Sequence, residues 1–128
     1  MMQLTEHRPG QDHYIRKVLP DGIVIDDTPF FGSVIVGARL LHADWPVRDF
    51  ADLNQSTVAP LLEHEPELVV LGYGERVRFP EPAIQRLFLE RGIGLECMTL
   101  AAACRTFNVL MSENRRAVAG LIVAAPAN

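Results

Sequence analysis

The residues of this chain best placed to bind something are Gly72-Tyr73-Gly74, then Arg76 and Arg78, and, further on, Thr99. Two glycines after a predicted strand let a ligand approach the backbone, and the arginines add positive charge. Thr99 stands at the predicted start of a helix whose first-turn N–H groups have no intrahelical acceptors. Together they offer the chemistry of an anion or carboxylate site, with no proton-transfer group. The glycines also invite comparison with a dinucleotide fingerprint, since Glu96 lies near the end of the next strand, where a ribose-binding acid would sit. The details argue against it. The third glycine position is occupied by Val77, and Pro80 and Pro82 delay the next helix, so no helix start abuts the turn. No Gly-Lys-Ser or Gly-Lys-Thr occurs either, and the glycines read more simply as a tight strand exit.

Other chemistry is sparse. His7, His13, His42 and His64 are scattered with no i, i+4 partner, so no metal site is expected. Ser33, Ser56 and Ser112 lie in no Gly-x-Ser-x-Gly elbow. Cys97 and Cys104 fit no metal or redox spacing and read as small hydrophobes in a reducing compartment. No catalytic residue and no cofactor is expected.

The elements that must position these residues follow from periodicity. Leu100, Ala103, Cys104, Phe107, Leu110 and Met111 recur at three- and four-residue spacing, which predicts a buried helix from Thr99. Its other face carries Arg105, Thr106, Asn108, Ser112 and Glu113. Asn108 is expected to bridge backbone groups of a neighbouring segment, and Glu113 and Arg115 to pair at the helix-to-strand turn. Around this helix, strands at Leu68–Leu71, Gly94–Met98 and Ala117–Val123 and a helix at Pro82–Arg91 make a β-α-β-α-β unit with parallel strands. Its first helix turns Ile84, Leu87 and Phe88 inward, with Pro82 in the first turn and Gly92 after its end. Earlier in the chain, Tyr14–Leu19 and Ile23–Asp26 flank Pro20-Asp21-Gly22 as a hairpin. Ser33–Gly37 reads as a central strand that Leu40 and Leu41 extend. Asp44-Trp45-Pro46 begins a polar link to a short helix capped at Ser56-Thr57 and running to about His64, with Pro60 in its first turn. If Leu68–Leu71 and Gly94–Met98 are parallel, the glycine turn and the Thr99 helix start lie side by side at one sheet edge, the default ligand site of an open α/β sheet.

The chain has 128 residues, 48% hydrophobic and 22% charged, which suits one α/β domain and excludes a disordered or fibrous chain. A net charge of −4 offers no basic field for nucleic acid or an anionic membrane. Its longest apolar runs fall short of the roughly 20 residues a membrane helix needs. The N-terminal MMQLTEHRPGQD resembles neither a signal peptide nor a mitochondrial presequence, so a cytoplasmic protein is expected.

Gly72-Tyr73-Gly74, then Cys97-Met98-Thr99-Leu100-Ala101-Ala102-Ala103-Cys104-Arg105-Thr106-Phe107-Asn108-Val109-Leu110, then Glu113, Arg115 and Val118, together resemble the Mth-type domain family of unknown function. The likeness covers nearly the whole chain. It implies a three-layer β+β/α fold of N-terminal antiparallel strands and the C-terminal parallel unit. The family includes small bacterial and archaeal proteins, a mitochondrial complex I assembly factor and an adipogenesis-associated human protein. By resemblance, therefore, a non-enzymatic binding or assembly module with a protein partner is expected, and the resemblance supplies no catalytic residues. The alternative is a small-molecule protein or enzyme using the strand-edge cleft. Oligomeric state is left open.

Overall fold

A computed structural model describes residues 12–125. The five-stranded sheet at its centre has the order β5-β4-β8-β6-β7. It is formed by β4 (Ser33–Val36), β5 (Leu41–Trp45), β6 (Leu68–Tyr73), β7 (Gly94–Met98) and β8 (Ala117–Ile122). Strand β6 runs parallel to both β7 and β8, as expected. Because β7 lies on one side of β6 and β8 on the other, two right-handed crossovers must place their helices on opposite faces. So α2 (Pro82–Leu89) covers one face and α3 (Leu100–Ser112) the other.

Two cores result, divided by strand alternation. Val34, Val36, Val70, Ala119 and Leu121 point to α3 and to a second, three-stranded antiparallel sheet of β1 (Ile15–Leu19), β2 (Gly22–Ile25) and β3 (Thr28–Phe30). Ile35, Val69, Leu71, Val118 and Ile122 point to α2 and α1 (Gln55–Leu62). This is the expected α/β architecture.

Helix α3 is as the periodicity predicts. Cys104, Phe107 and Leu110 are buried, and the Thr99 hydroxyl caps the helix by accepting the Ala102 N–H at 3.2 Å. Asn108 clamps α3 to the three-stranded sheet: its side-chain oxygen accepts the Ile15 N–H at 2.9 Å and its amide donates to the Ile15 carbonyl at 2.8 Å. The expected pairing at the end of α3 is different. Arg115 Nε donates to Glu67, just before β6, at 2.8 Å rather than to Glu113, because a left-handed Asn114 (φ 57°) turns the chain back toward that strand.

Three local expectations are corrected. Leu40 and Leu41 do not extend β4, since the Gly37 N–H bonds the Leu40 carbonyl and turns the chain into β5. Asp44 and Trp45 end that strand rather than beginning a link, and the Trp45 indole donates to the Thr57 carbonyl at 2.8 Å. Helix α1 is capped by Asn54 instead of Ser56, with Thr57 bonding back to the Asn54 backbone. Pro60 therefore lies two residues deeper than expected, at the sixth helical residue, where it leaves the Ser56 carbonyl without its usual i+4 donor.

Candidate functional site

The structure does bring the glycine turn beside the start of α3. The Leu100 N–H donates to the Gly74 carbonyl at 3.0 Å. Beyond this bond, at the C-terminal ends of β6 and β8, opens a cavity of about 600 Å³. Gly74, Leu100 and Ala101 form one side, Val123 and Ala124 another, and the β1–β2 turn with the exposed Phe31 the rim.

Within this edge the predicted residues take separate places. Gly74 lines the cavity with a left-handed backbone (φ 65°) and open space where a side chain would be. Gly72 lies beneath α3, where an added Cβ would stand only 2.4 Å from the Cβ of Ala103. That glycine serves helix–sheet contact. Tyr73 points to the other face of the sheet, where its ring stacks on Phe50 with centroids 5.2 Å apart. Its hydroxyl donates to Asp49 at 2.7 Å. Arg78 lies over both rings, 5.4 Å from that of Phe50 and 5.5 Å from that of Tyr73. Arg76 is exposed, and neither arginine is on the cavity wall. The wall's charges are the carboxylates of Asp21 and Glu75. Of the first-turn donors of α3, those of Leu100 and Ala102 are already engaged.

The Asp49–Tyr73–Arg78 group was not foreseen, because Asp49 and Phe50 arrive from a short 3-10 turn (Phe50–Asp52) far from Tyr73 in sequence. The Ala51 N–H, the Tyr73 hydroxyl and the charge of Arg78 hold the Asp49 carboxyl below its ordinary pKa. The same bond to Asp49, with burial, raises the pKa of Tyr73. Such a group holds a loop on a strand; a phenol held protonated by an ionised carboxylate is a weak base or nucleophile.

Burial also pushes the thiol pKa of Cys97 up to about 11 and that of Cys104 up to about 12, which keeps both protonated and unreactive at neutral pH. Ser33 is buried and its hydroxyl is engaged by the Val47 carbonyl and the Val123 N–H. No group of three metal-ligating side chains occurs among the described residues.

A second surface stands out by its apolar exposure. Phe79 is 69% exposed and Leu89 77% exposed. Both line one groove of about 510 Å³ between α2 and the edge strand β7, with Pro82, Leu95 and Cys97.

Residues 15–122 match the family described as "Protein of unknown function (DUF498/DUF598)". The chain belongs to this family. It is 30% identical over 111 residues to "NADH dehydrogenase [ubiquinone] 1 alpha subcomplex assembly factor 3" of Xenopus tropicalis, an alignment covering 85% of this chain and 60% of that one. The chain thus spans less than two thirds of that relative's length. The NMR structure of a Xanthomonas campestris protein superposes with a TM-score of 0.83 at 34% identity, covering 99% of this chain and 96% of the other. The solution NMR structure of a Bordetella pertussis protein, described as a Mth938-like domain, shares the fold with a TM-score of 0.78 at 24% identity, covering 99% and 95% of the two chains. The Mth-type resemblance is thereby shown. No helix among the described residues is long and apolar enough to cross a membrane.

Proposed function

We propose that this protein is a non-enzymatic binding module that holds a protein partner during assembly, in the manner its relatives' name describes. The observation that carries the reading is the groove between α2 and β7. It keeps Phe79 and Leu89 in water, where large apolar groups gathered at one place mark an interaction surface. The unreactive thiols and the structural engagement of Ser33 and Tyr73 are consistent with it. With two free cysteines, the chain suits a reducing compartment such as the cytoplasm. The test is affinity purification from the native host of the wild type and of a Phe79→Asp, Leu89→Asp double variant. Both positions are exposed, so the variant should melt close to the wild type. A protein recovered in stoichiometric amount with the wild type and lost with the variant supports the reading. Equal recovery with both sinks it.

The cavity at the C-terminal strand edge supports a second reading, a small-molecule site on Gly74, Leu100 and Ala101 at the start of α3, beside the Thr99 cap and without Tyr73 or Arg78, which lie on the other face of the sheet. Its size is what favours it. Native mass spectrometry of the purified protein tests it: a retained small molecule, displaced by Ala101→Trp, is the expected result.

A further inference from the structure

We propose that the free edge of β7 is a strand-pairing site for an extended segment of a protein partner, its side chains alternately apolar and basic. This rests on the protein-binding reading and names the surface and the chemistry of the partner.

Strand β7 is the last of its sheet, paired on one side with β6; among the described residues no strand covers its other side. The Gly94 N–H donates to the Glu67 carbonyl, so Gly94 turns its peptide groups toward β6. Peptide groups alternate between the two edges of a strand. Those of Glu96 and Met98 therefore also face β6, and the N–H and C=O of Leu95 and Cys97 face outward. Two outward residues present two donors and two acceptors at strand spacing, which an added strand satisfies. A helix presents no such row.

Side chains set which strand. Leu95 and Cys97 lie on the α2 face and form the floor of the groove edged by Phe79 and Leu89. An added strand would turn every second side chain into this groove, where apolar groups fit and the Arg86 guanidinium on the wall disfavours a cation. The intervening side chains would emerge on the opposite face beside Glu96, which is exposed. Arg115, which feels the charge of Glu96, is already paired with Glu67. Beside a carboxylate across strands, a lysine or arginine is favoured. The chain's net charge of −4 favours a basic partner at longer range.

A capped octapeptide of alternating valine and lysine is the probe, with a peptide of the same composition in two blocks as control. Amide exchange of the ¹⁵N-labelled protein is followed by NMR. In the free protein the Leu95 and Cys97 amides should exchange fast and that of Glu96 slowly. The alternating peptide should slow exchange at Leu95 and Cys97 by about tenfold or more and leave Glu96 unchanged, and the block peptide should do neither. Leu95→Pro removes one outward donor and no bond to β6, a position where an edge strand accepts proline, and should weaken peptide binding at least about tenfold. If that variant does not fold, the exchange pattern of the wild type decides. No protection at millimolar peptide, or protection only at other amides, overturns the proposal. So does a concentration-dependent dimer that by itself protects Leu95 and Cys97, which would make a second copy the occupant. If the host partner is lost with Phe79→Asp, Leu89→Asp but retained with Leu95→Pro, the protein-binding reading stands and strand pairing fails. If no partner is recovered but the peptide protects both amides, the pairing edge stands and the assembly reading fails.

Discussion

Replacing Gly72 with alanine adds one methyl group, and its destination is fixed: 2.4 Å from the Cβ of Ala103 and 3.4 Å from the Cα of Leu100. Carbon atoms in good contact sit about 3.5–4.0 Å apart, so helix and sheet must separate locally by about 1 Å. The helix is poorly placed to give way. Thr99 caps it, the Leu100 N–H ties its first turn to Gly74, Phe107 is fully buried, and Asn108 holds Ile15 through two hydrogen bonds. Overpacking of this kind costs about 1–3 kcal/mol, and the stiffer unfolded chain of an alanine returns about 0.4–1 kcal/mol. A net loss of about 1–2 kcal/mol is expected, and urea unfolding followed by circular dichroism measures it. The cause is isolated by Ala103→Gly, which alone should cost about 1 kcal/mol for its helix propensity. In that background the clash has no second methyl, so Gly72→Ala should be neutral or slightly stabilising, and the cycle should show a coupling of about 1 kcal/mol or more. A cost for Gly72→Ala below about 0.5 kcal/mol, or the same cost in both backgrounds, would refute close packing as the reason for this glycine.

Phe107→Ala empties the centre of the α3 face and should cost about 3–5 kcal/mol in the same denaturation assay. Asn108→Ala removes two hydrogen bonds to a buried residue and strands its N–H and C=O, so a loss of about 2–3 kcal/mol is expected; an unchanged melt would show that water replaces the clamp. The Arg115 guanidinium holds the Glu67 carboxyl below its ordinary value of 4.5, so its contribution is present above that value and lost as pH falls through the lower folded-state value. The difference in melting temperature between wild type and Glu67→Gln should therefore be widest near neutrality and close in acid.

Which parts of this were legible in the sequence depended on the range of the interaction that fixes them. Helix α3 and the parallel unit were legible because each stripe is a local periodicity: Cys104, Phe107 and Leu110 face one core whatever the rest of the chain does. Strand β3 was not, because Thr28-Pro29-Phe30 carries a proline; it is tolerated where the strand is the outer member of its sheet. The turn into β5 was hidden for a different reason. Ala38-Arg39-Leu40 has no turn residue of its own, and a single bond from Gly37 to Leu40 closes it. The cap of α1 was misplaced by two residues because Asn54, Ser56 and Thr57 are all capable caps, and only the reciprocal bonds between Asn54 and Thr57 choose among them. The Glu67–Arg115 pair spans 48 positions, beyond the reach of any local pattern.

The glycine turn shows how the same distinction bears on function. Read along the chain, Gly72-Tyr73-Gly74 with Arg76 and Arg78 is one cluster beside a helix start, and the natural inference is a single anion site. Strand alternation divides it, since neighbouring residues of β6 face opposite sides of the sheet. Gly72 lies under α3, Tyr73 lies against Phe50, and Arg78 lies over the two rings, where Asp49 is its neighbouring carboxylate. Positive charge is thereby drawn to the α1 side, away from a cavity whose own charges are Asp21 and Glu75. Among the described residues, the outward peptide groups of β7 and the apolar groove beside them have no internal use. Both lie on the strand that α2 and α3 flank, so whatever pairs there extends the sheet that carries both cores.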